Sequence, residues 1–169
     1  MSERELRAMI EHAAHLCKKH FAASSEIMPM WQYITAKGEQ LTELHPPFDK
    51  DTAMLLIRML FDLQDAVRYV YIGEAWTLER MIKPDEKAEI MRTGLSEHPD
   101  RVEVVVQLQG EDQDCGQLMA QMRIIRPANG KPYLRPLEWI IGLPFTPRGA
   151  TVQSEGRMVG VLPIRGTRQ

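Results

Sequence analysis

Val102-Glu-Val-Val-Val-Gln-Leu108 has apolar residues on both of its faces, and this pattern predicts a buried strand. The polar segment 110–116 follows and predicts a turn, and Gln117–Arg126 then predicts a returning strand with one apolar face. Asn129-Gly130 predicts a second tight turn, before a further strand over Tyr133–Ile141. Three consecutive strands joined by short turns predict an antiparallel meander.

Upstream of this meander, the sequence predicts three more strands and three helices. The predicted strands cover residues 29–36, 40–45 and 67–76, and the predicted helices cover residues 2–21, 50–65 and 84–93. Together these elements predict an α+β fold, in which a single antiparallel sheet of five or six strands has two or three helices packed on it. The helix over residues 50–65 is apolar on most sides, so we expect it to be the most buried helix.

The domain organisation follows from a change in composition near Gly142. Residues 1–141 predict one compact α+β domain with an N-terminal helix, whereas residues 142–169 are rich in Pro and Gly and predict a basic C-terminal arm. The chain has 169 residues, of which 44% are hydrophobic and 26% charged, and these are ordinary values for one soluble domain. No apolar run approaches the roughly 20 residues of a membrane span.

Cysteine usage and charge limit the compartment and the partners. The two cysteines, Cys17 and Cys115, form no C-x-x-C pair, so we expect neither a disulfide framework nor a thiolate zinc site. Such sparse cysteine usage favours a cytoplasmic location. Residues 1–120 carry 13 Lys/Arg and 21 Asp/Glu, whereas residues 121–169 carry 8 Lys/Arg and 2 Asp/Glu. The basic end therefore suits an acidic surface, either on its own domain or on a second subunit.

Two polar inserts at strand ends form the candidate pocket. They are Gly73-Glu-Ala-Trp76, after the strand 67–76, and Ser96-Glu-His-Pro-Asp-Arg101, before Val102. A buried carboxylate there is suited to acid–base work, an imidazole to base or ligand work, and a guanidinium to anion binding. The candidate pocket residues are Glu74, Trp76, Glu97, His98, Asp100 and Arg101.

Each insert also has a structural explanation. Glu74 can pair with a nearby Arg while Trp76 belongs to the core, and residues 96–101 can form a helix-to-strand turn held by side-chain hydrogen bonds. The other cluster that suggests a metal, His12-x-x-His15-x-Cys17-x-x-His20, fails on geometry. At about 100° per residue its members point to different sides of one helix, so we expect no metal site.

The segment Val67–Trp76, with its Glu-Ala-Trp ending, and the Ser-Glu-His-Pro-Asp-Arg-Val-Glu-Val-Val segment from Ser96 resemble a family of uncharacterised bacterial proteins. The similarity covers roughly residues 28–140. This resemblance implies a bacterial or prophage origin and a single compact domain. The family has no assigned activity, so it implies no functional residues.

The expected function rests mainly on missing motifs. The sequence contains no phosphate-binding loop, dinucleotide fingerprint, nucleophile elbow or zinc-protease motif, so we expect no cofactor. We expect a non-enzymatic binding or interaction module that forms a homodimer or binds a protein partner, without membrane contact. Nucleic-acid binding by residues 121–169 is disfavoured, because no recognition helix with clustered Arg or Lys is present. The alternative is a small hydrolase or metal-assisted enzyme that uses Glu74, His98 and Asp100.

Overall fold

The computed structural model describes residues 3–77, 83–93, 98–100, 102–114, 116–140 and 161–163. These residues form three helices and one antiparallel sheet of seven strands, which curls as a half-barrel. The predicted α+β class is therefore confirmed. The helices are α1 (Glu3–Ser24), α2 (Lys50–Gln64) and α3 (Pro84–Thr93), and the strands are β1 (Met30–Thr35), β2 (Gln40–Leu44), β3 (Ala66–Thr77), β4 (Val102–Asp112), β5 (Gly116–Ile125), β6 (Tyr133–Leu134) and β7 (Glu138–Trp139).

The order of the strands in the sheet is β2-β1-β3-β4-β5, and both β6 and β7 pair with the outer edge of β5. The longest pairing joins β3 to β4, from Arg68 opposite Asp112 to Thr77 opposite Val102. The predicted strand 133–141 is two short strands instead of one. Pro136 lies between them, and a proline cannot donate to a continuous ladder.

Helix α1 packs closely on one face of the sheet. Gly110, which the sequence placed in a turn, lies inside β4 beneath this helix. A Cβ atom at Gly110 would lie 2.8 Å from Cδ1 of Leu6 and 2.9 Å from Cδ1 of Ile10, so the glycine permits the close approach of α1. The main buried side chains on this face are Leu6, Ile10, Ala13, Cys17 and Phe21 of α1 and Val70, Ile72, Val106, Leu108 and Met122 of the sheet.

A second, aromatic core lies on the opposite face, between the sheet and α2. The Trp31 ring lies 5.7 Å from the Phe61 ring and 5.3 Å from the Tyr69 ring, and Tyr33 lies 5.0 Å from Phe61, measured between ring centroids. Edge-to-face and tilted contacts at these distances are favourable for aromatic pairs. The buried residues Val161 and Leu162 also belong to this core.

An ion network ties α1 to the centre of the sheet. The guanidinium of Arg68 on β3 donates from Nε to Oδ2 of Asp112 at 2.6 Å and from an Nη atom to Oε2 of Glu5 at 2.7 Å. The Arg68 and Asp112 side chains are both buried. Burial by itself lowers the pKa of Arg68, but the hydrogen bonds to the two carboxylates outweigh it and raise that pKa.

The expectation that α2 is the most buried helix is wrong. Ala53, Met54, Ile57 and Phe61 face the aromatic core, but several other apolar residues of α2 face water. The sheet covers only one side of α2, whereas α1 lies over the centre of the sheet. Of the predicted C-terminal arm, residues 142–169, the structure describes only 161–163.

Candidate interaction surface

The structure describes three of the predicted pocket residues in full. Glu74 lies on β3 opposite Val106, and its side chain is exposed on the same face of the sheet as α1. His98 and Asp100 lie in the turn before β4, where the backbone N–H of Asp100 donates to Nδ1 of His98 at 3.1 Å. This bond gives His98 a structural role in the turn, which was the alternative explanation for the segment.

The other predicted pocket residues lie outside the described part of the chain. Glu97 and Arg101 are not among the described residues, and only the backbone of Trp76, opposite Glu103, is described. Glu74 forms no hydrogen bond or ion pair with the described residues. Convergence of the six candidate residues therefore stays a prediction.

Two other contacts show what surrounds the first insert. A Cβ atom at Gly73 would lie 2.6 Å from the hydroxyl oxygen of Tyr71, so the glycine makes room for the ring of its own neighbour rather than for a ligand. On the α1 face of the sheet, burial and the charge of Glu74 together raise the pKa of the Cys17 thiol to about 12. The charge of Glu74 on β3 therefore influences the Cys17 thiol on α1, a connection that the sequence did not predict.

A row of exposed apolar side chains runs along α2. Leu55, Met59 and Leu63 follow one another at intervals of four residues, so they lie on one face of the helix. Their side chains are 56%, 60% and 79% exposed, and Leu56 beside them is also exposed. We call these four residues the α2 row. Apolar groups gathered on one element are typical of interaction sites.

Local sequence accounts for where α2 begins and ends. Asp49 is its N-cap and accepts hydrogen bonds from the backbone N–H groups of Asp51 and Thr52, each at 3.1 Å. The helix ends at Gln64, and its C-cap Asp65 adopts a left-handed conformation with φ of 52°. The packing of Met54, Ile57 and Phe61 on the aromatic core then leaves the α2 row on the opposite side of the helix.

Charged residues border the α2 row on one side. At about 100° per residue, Asp51, Arg58 and Asp62 share one narrow strip of the helix between the row and the aromatic core. The segment before α2 adds one more exposed apolar side chain, Phe48. The surface is therefore an apolar band with a mixed-charge rim, an arrangement typical of protein interfaces.

Sequence reasoning missed this surface, although a signal for it was present. The apolar residues of α2 extend well beyond the stripe that one sheet face can cover, and we interpreted the excess as deeper burial. An excess of apolar residues on a helix also fits a second covering surface outside the domain. The sequence pattern alone does not distinguish these two explanations.

No protein-family model, curated protein or solved structure matches this chain. The resemblance to a family of uncharacterised bacterial proteins therefore stays a prediction. Within the described residues, no three or more His, Cys, Asp or Glu side chains are grouped in a way that suits a metal ion. None of the described helices is both long enough and apolar enough to cross a membrane.

Proposed function

We propose that this protein is a non-enzymatic interaction module that forms a homodimer through the α2 row. The observation that carries the proposal is the exposure of Leu55, Met59 and Leu63 on one helix face. Removing apolar area from water is the main favourable term in protein association. A second copy of the same helix would cover these side chains.

The α2 row is complementary to itself. In an antiparallel pair of α2 helices with a two-fold axis near Met59, Leu55 of each copy lies opposite Leu63 of the other copy. In the same arrangement Arg58 of one copy approaches Asp62 of the other copy at the rim. An isologous interface requires such self-complementarity, and opposite charges at the rim favour the correct register.

The remaining properties of the chain are compatible with pairing. The net charge of the chain is −2, so long-range repulsion between two copies is weak. A stable interface buries roughly 800 Å² on each partner. We therefore expect the interface to extend beyond the α2 row to the exposed side chain of Phe48.

The enzymatic alternative needs Glu74, His98 and Asp100 to act on one substrate. Glu74 is exposed, and Nδ1 of His98 accepts the backbone N–H of Asp100 within its own turn. A thiol with a pKa of about 12, as in Cys17, is also a poor nucleophile. No contact among the described residues favours this alternative over an interaction module.

We also propose that the protein works in a bacterial cytoplasm. Cys17 is a free, buried thiol, which is what a reducing compartment maintains. The bacterial origin rests on the resemblance of the two inserts to a bacterial family. Detection of the protein in the soluble fraction of bacterial cells, with free thiols, would support the location, whereas an oxidised or membrane-bound form would contradict it.

Sedimentation velocity with two opposite charge variants tests the proposed dimer. We expect the wild-type protein to be a dimer at micromolar concentration. Met59→Arg and Met59→Glu should each be monomeric, because two like charges would face each other across the axis. An equal mixture of the two variants should form a dimer again, since the charges are then opposite. Met59 is exposed, so neither variant should impair folding.

Leu16→Arg is the matched control, because it places the same charge on an exposed leucine of α1. This variant should remain dimeric. A monomeric wild-type protein would overturn the proposal. A mixture of Met59→Arg and Met59→Glu that stays monomeric would overturn the two-fold arrangement.

A further inference from the structure

A cavity of about 430 Å³ lies on the opposite side of the sheet from the α2 row. Its walls come from the C-terminal half of α1, the connection to β1, and strands β1 and β3. Most of its lining is apolar, including Ala23, Ile27, Met30 and Ile72. Small-molecule sites typically have volumes of roughly 300–1,000 Å³ and mainly apolar walls, so both size and lining fit such a site.

Gln32 is the buried polar side chain of this cavity. It lies on β1 between Met30 and Ile34, on the face that packs beneath α1, and it is only 5% exposed. Its Oε1 atom is buried and accepts no hydrogen bond from any described residue. An unpaired buried acceptor destabilises the folded protein, whereas an apolar residue of similar shape would avoid this cost. A donor supplied by a bound molecule would satisfy Gln32.

The ionisable groups of the lining indicate the charge of that molecule. Lys19 and His20 are exposed and lie at the rim. Cys17 is buried, and its thiol stays protonated because burial and the charge of Glu74 raise its pKa to about 12. The buried part of the described lining therefore offers no charged partner, and a charged group placed there would lose its hydration without compensation.

We propose that this cavity binds an uncharged small molecule with a mainly hydrocarbon or aromatic body and one hydroxyl or N–H group that donates to Oε1 of Gln32. The apolar body fills the space between α1 and the sheet, and the single donor orients the molecule. Binding in this cavity does not depend on pairing through α2, so the two proposals can fail separately.

The first experiment locates the site with N-phenyl-naphthylamine, an uncharged fluorescent probe that has an aromatic body and one N–H group. The full-length wild-type protein should bind the probe, and the fluorescence of the probe should rise. Ala23→Phe places a ring in the cavity wall and should weaken binding by at least about tenfold. Ala22→Phe is the matched control, since Ala22 is its exposed neighbour on α1 but does not line the cavity.

The second experiment tests the hydrogen bond with two competitors of similar shape. The wild-type protein should bind para-phenylphenol about fivefold more tightly than para-methylbiphenyl, because only the phenol can donate to Gln32. Gln32→Leu should bind the probe but lose this preference. The ligand-free Gln32→Leu variant should also melt at a higher temperature than the wild type, since the unpaired acceptor is gone.

Three outcomes would overturn the proposal. The first is no binding of the probe or of para-phenylphenol by the folded wild-type protein. The second is probe binding that survives Ala23→Phe but is lost in Met59→Arg, because the probe would then lie on the α2 row. The third is equal affinity of the wild-type protein for the two competitors, which would exclude the hydrogen bond to Gln32.

Discussion

The indole N–H of Trp31 donates a hydrogen bond of 3.0 Å to Nδ1 of His45. The centroids of the two rings lie 6.1 Å apart, and the angle between the ring planes is 23°. Trp31 is fully buried, so its N–H needs an acceptor within the protein. A histidine nitrogen accepts only when it carries no proton, and the contact therefore requires neutral imidazole.

This contact predicts that stability falls at acid pH. Burial lowers the pKa of His45 in the folded protein, whereas in the unfolded chain its pKa is about 6.5. Between these two values the unfolded chain binds more protons, so the free energy of unfolding falls as the pH falls from about 6.5 to the folded pKa. One such group contributes at most about 1.4 kcal/mol per pH unit. Urea denaturation at about pH 7.5 and about pH 5 measures the loss.

His45→Gln keeps an acceptor for Trp31 but removes the titration, so it should lose less stability between the two pH values. His12→Gln changes an exposed histidine on α1 and should behave like the wild type. An equal loss of stability in His45→Gln and in the wild-type protein would contradict the assignment to His45.

Arg68→Ala should reduce the free energy of unfolding by about 3–5 kcal/mol, because it leaves the buried carboxylate of Asp112 without its cation. Arg68→Lys should recover only part of this loss, since one ammonium does not reproduce the two-sided contact with Asp112 and Glu5. The exposed pair Arg92–Glu89, 3.7 Å apart, is the control, and Arg92→Ala should have less than about 1 kcal/mol effect. Similar losses of free energy of unfolding for Arg68→Ala and Arg92→Ala would show that the buried network contributes no more to stability than an exposed ion pair.

Gly110→Ala should destabilise the protein by about 1–3 kcal/mol, since the new methyl group would press against Leu6 and Ile10 and push α1 away from β4. Leu6→Ala should make room for that methyl group. The double variant should therefore lose less free energy of unfolding than the two single variants together, by at least about 0.5 kcal/mol. Chemical denaturation of the four proteins gives this coupling, and strict additivity would refute the steric explanation.

Cys17 should react very slowly with iodoacetamide in the folded protein. At pH 8, the fraction present as reactive thiolate is about a thousandfold smaller for a thiol with a pKa of about 12 than for an ordinary cysteine. Mass spectrometry of a Cys115→Ser variant, with and without urea, should show at least this ratio of rates. Glu74→Gln should accelerate the reaction because its charge helps to raise the pKa, whereas Glu11→Gln on the exposed side of α1 should not. Rates within tenfold of each other with and without urea would contradict the high pKa.

Local periodicity predicted most elements of the fold. The alternating apolar pattern of residues 117–126 corresponds to β5, and the capping aspartates around residue 50 mark the start of α2. Such patterns follow from interactions between residues close together in the chain, which the sequence displays directly. The pattern did not show that Pro136 divides one strand into two or that Gly110 lies under α1, because both depend on which neighbours the sheet and helix supply.

The class of fold, most of the helices and strands, and the amphipathic faces could be predicted from the chain alone, because they depend on periodicity and local hydrogen bonding. Three features depend on the packing in three dimensions: the exposure of the α2 row, the position of Gln32 beside a cavity with no partner for its Oε1 among the described residues, and the effect of the Glu74 charge on the pKa of Cys17. Each of these depends on how the sheet register and the position of α1 bring distant residues together. Periodicity shows which residues are apolar, but packing decides what covers them.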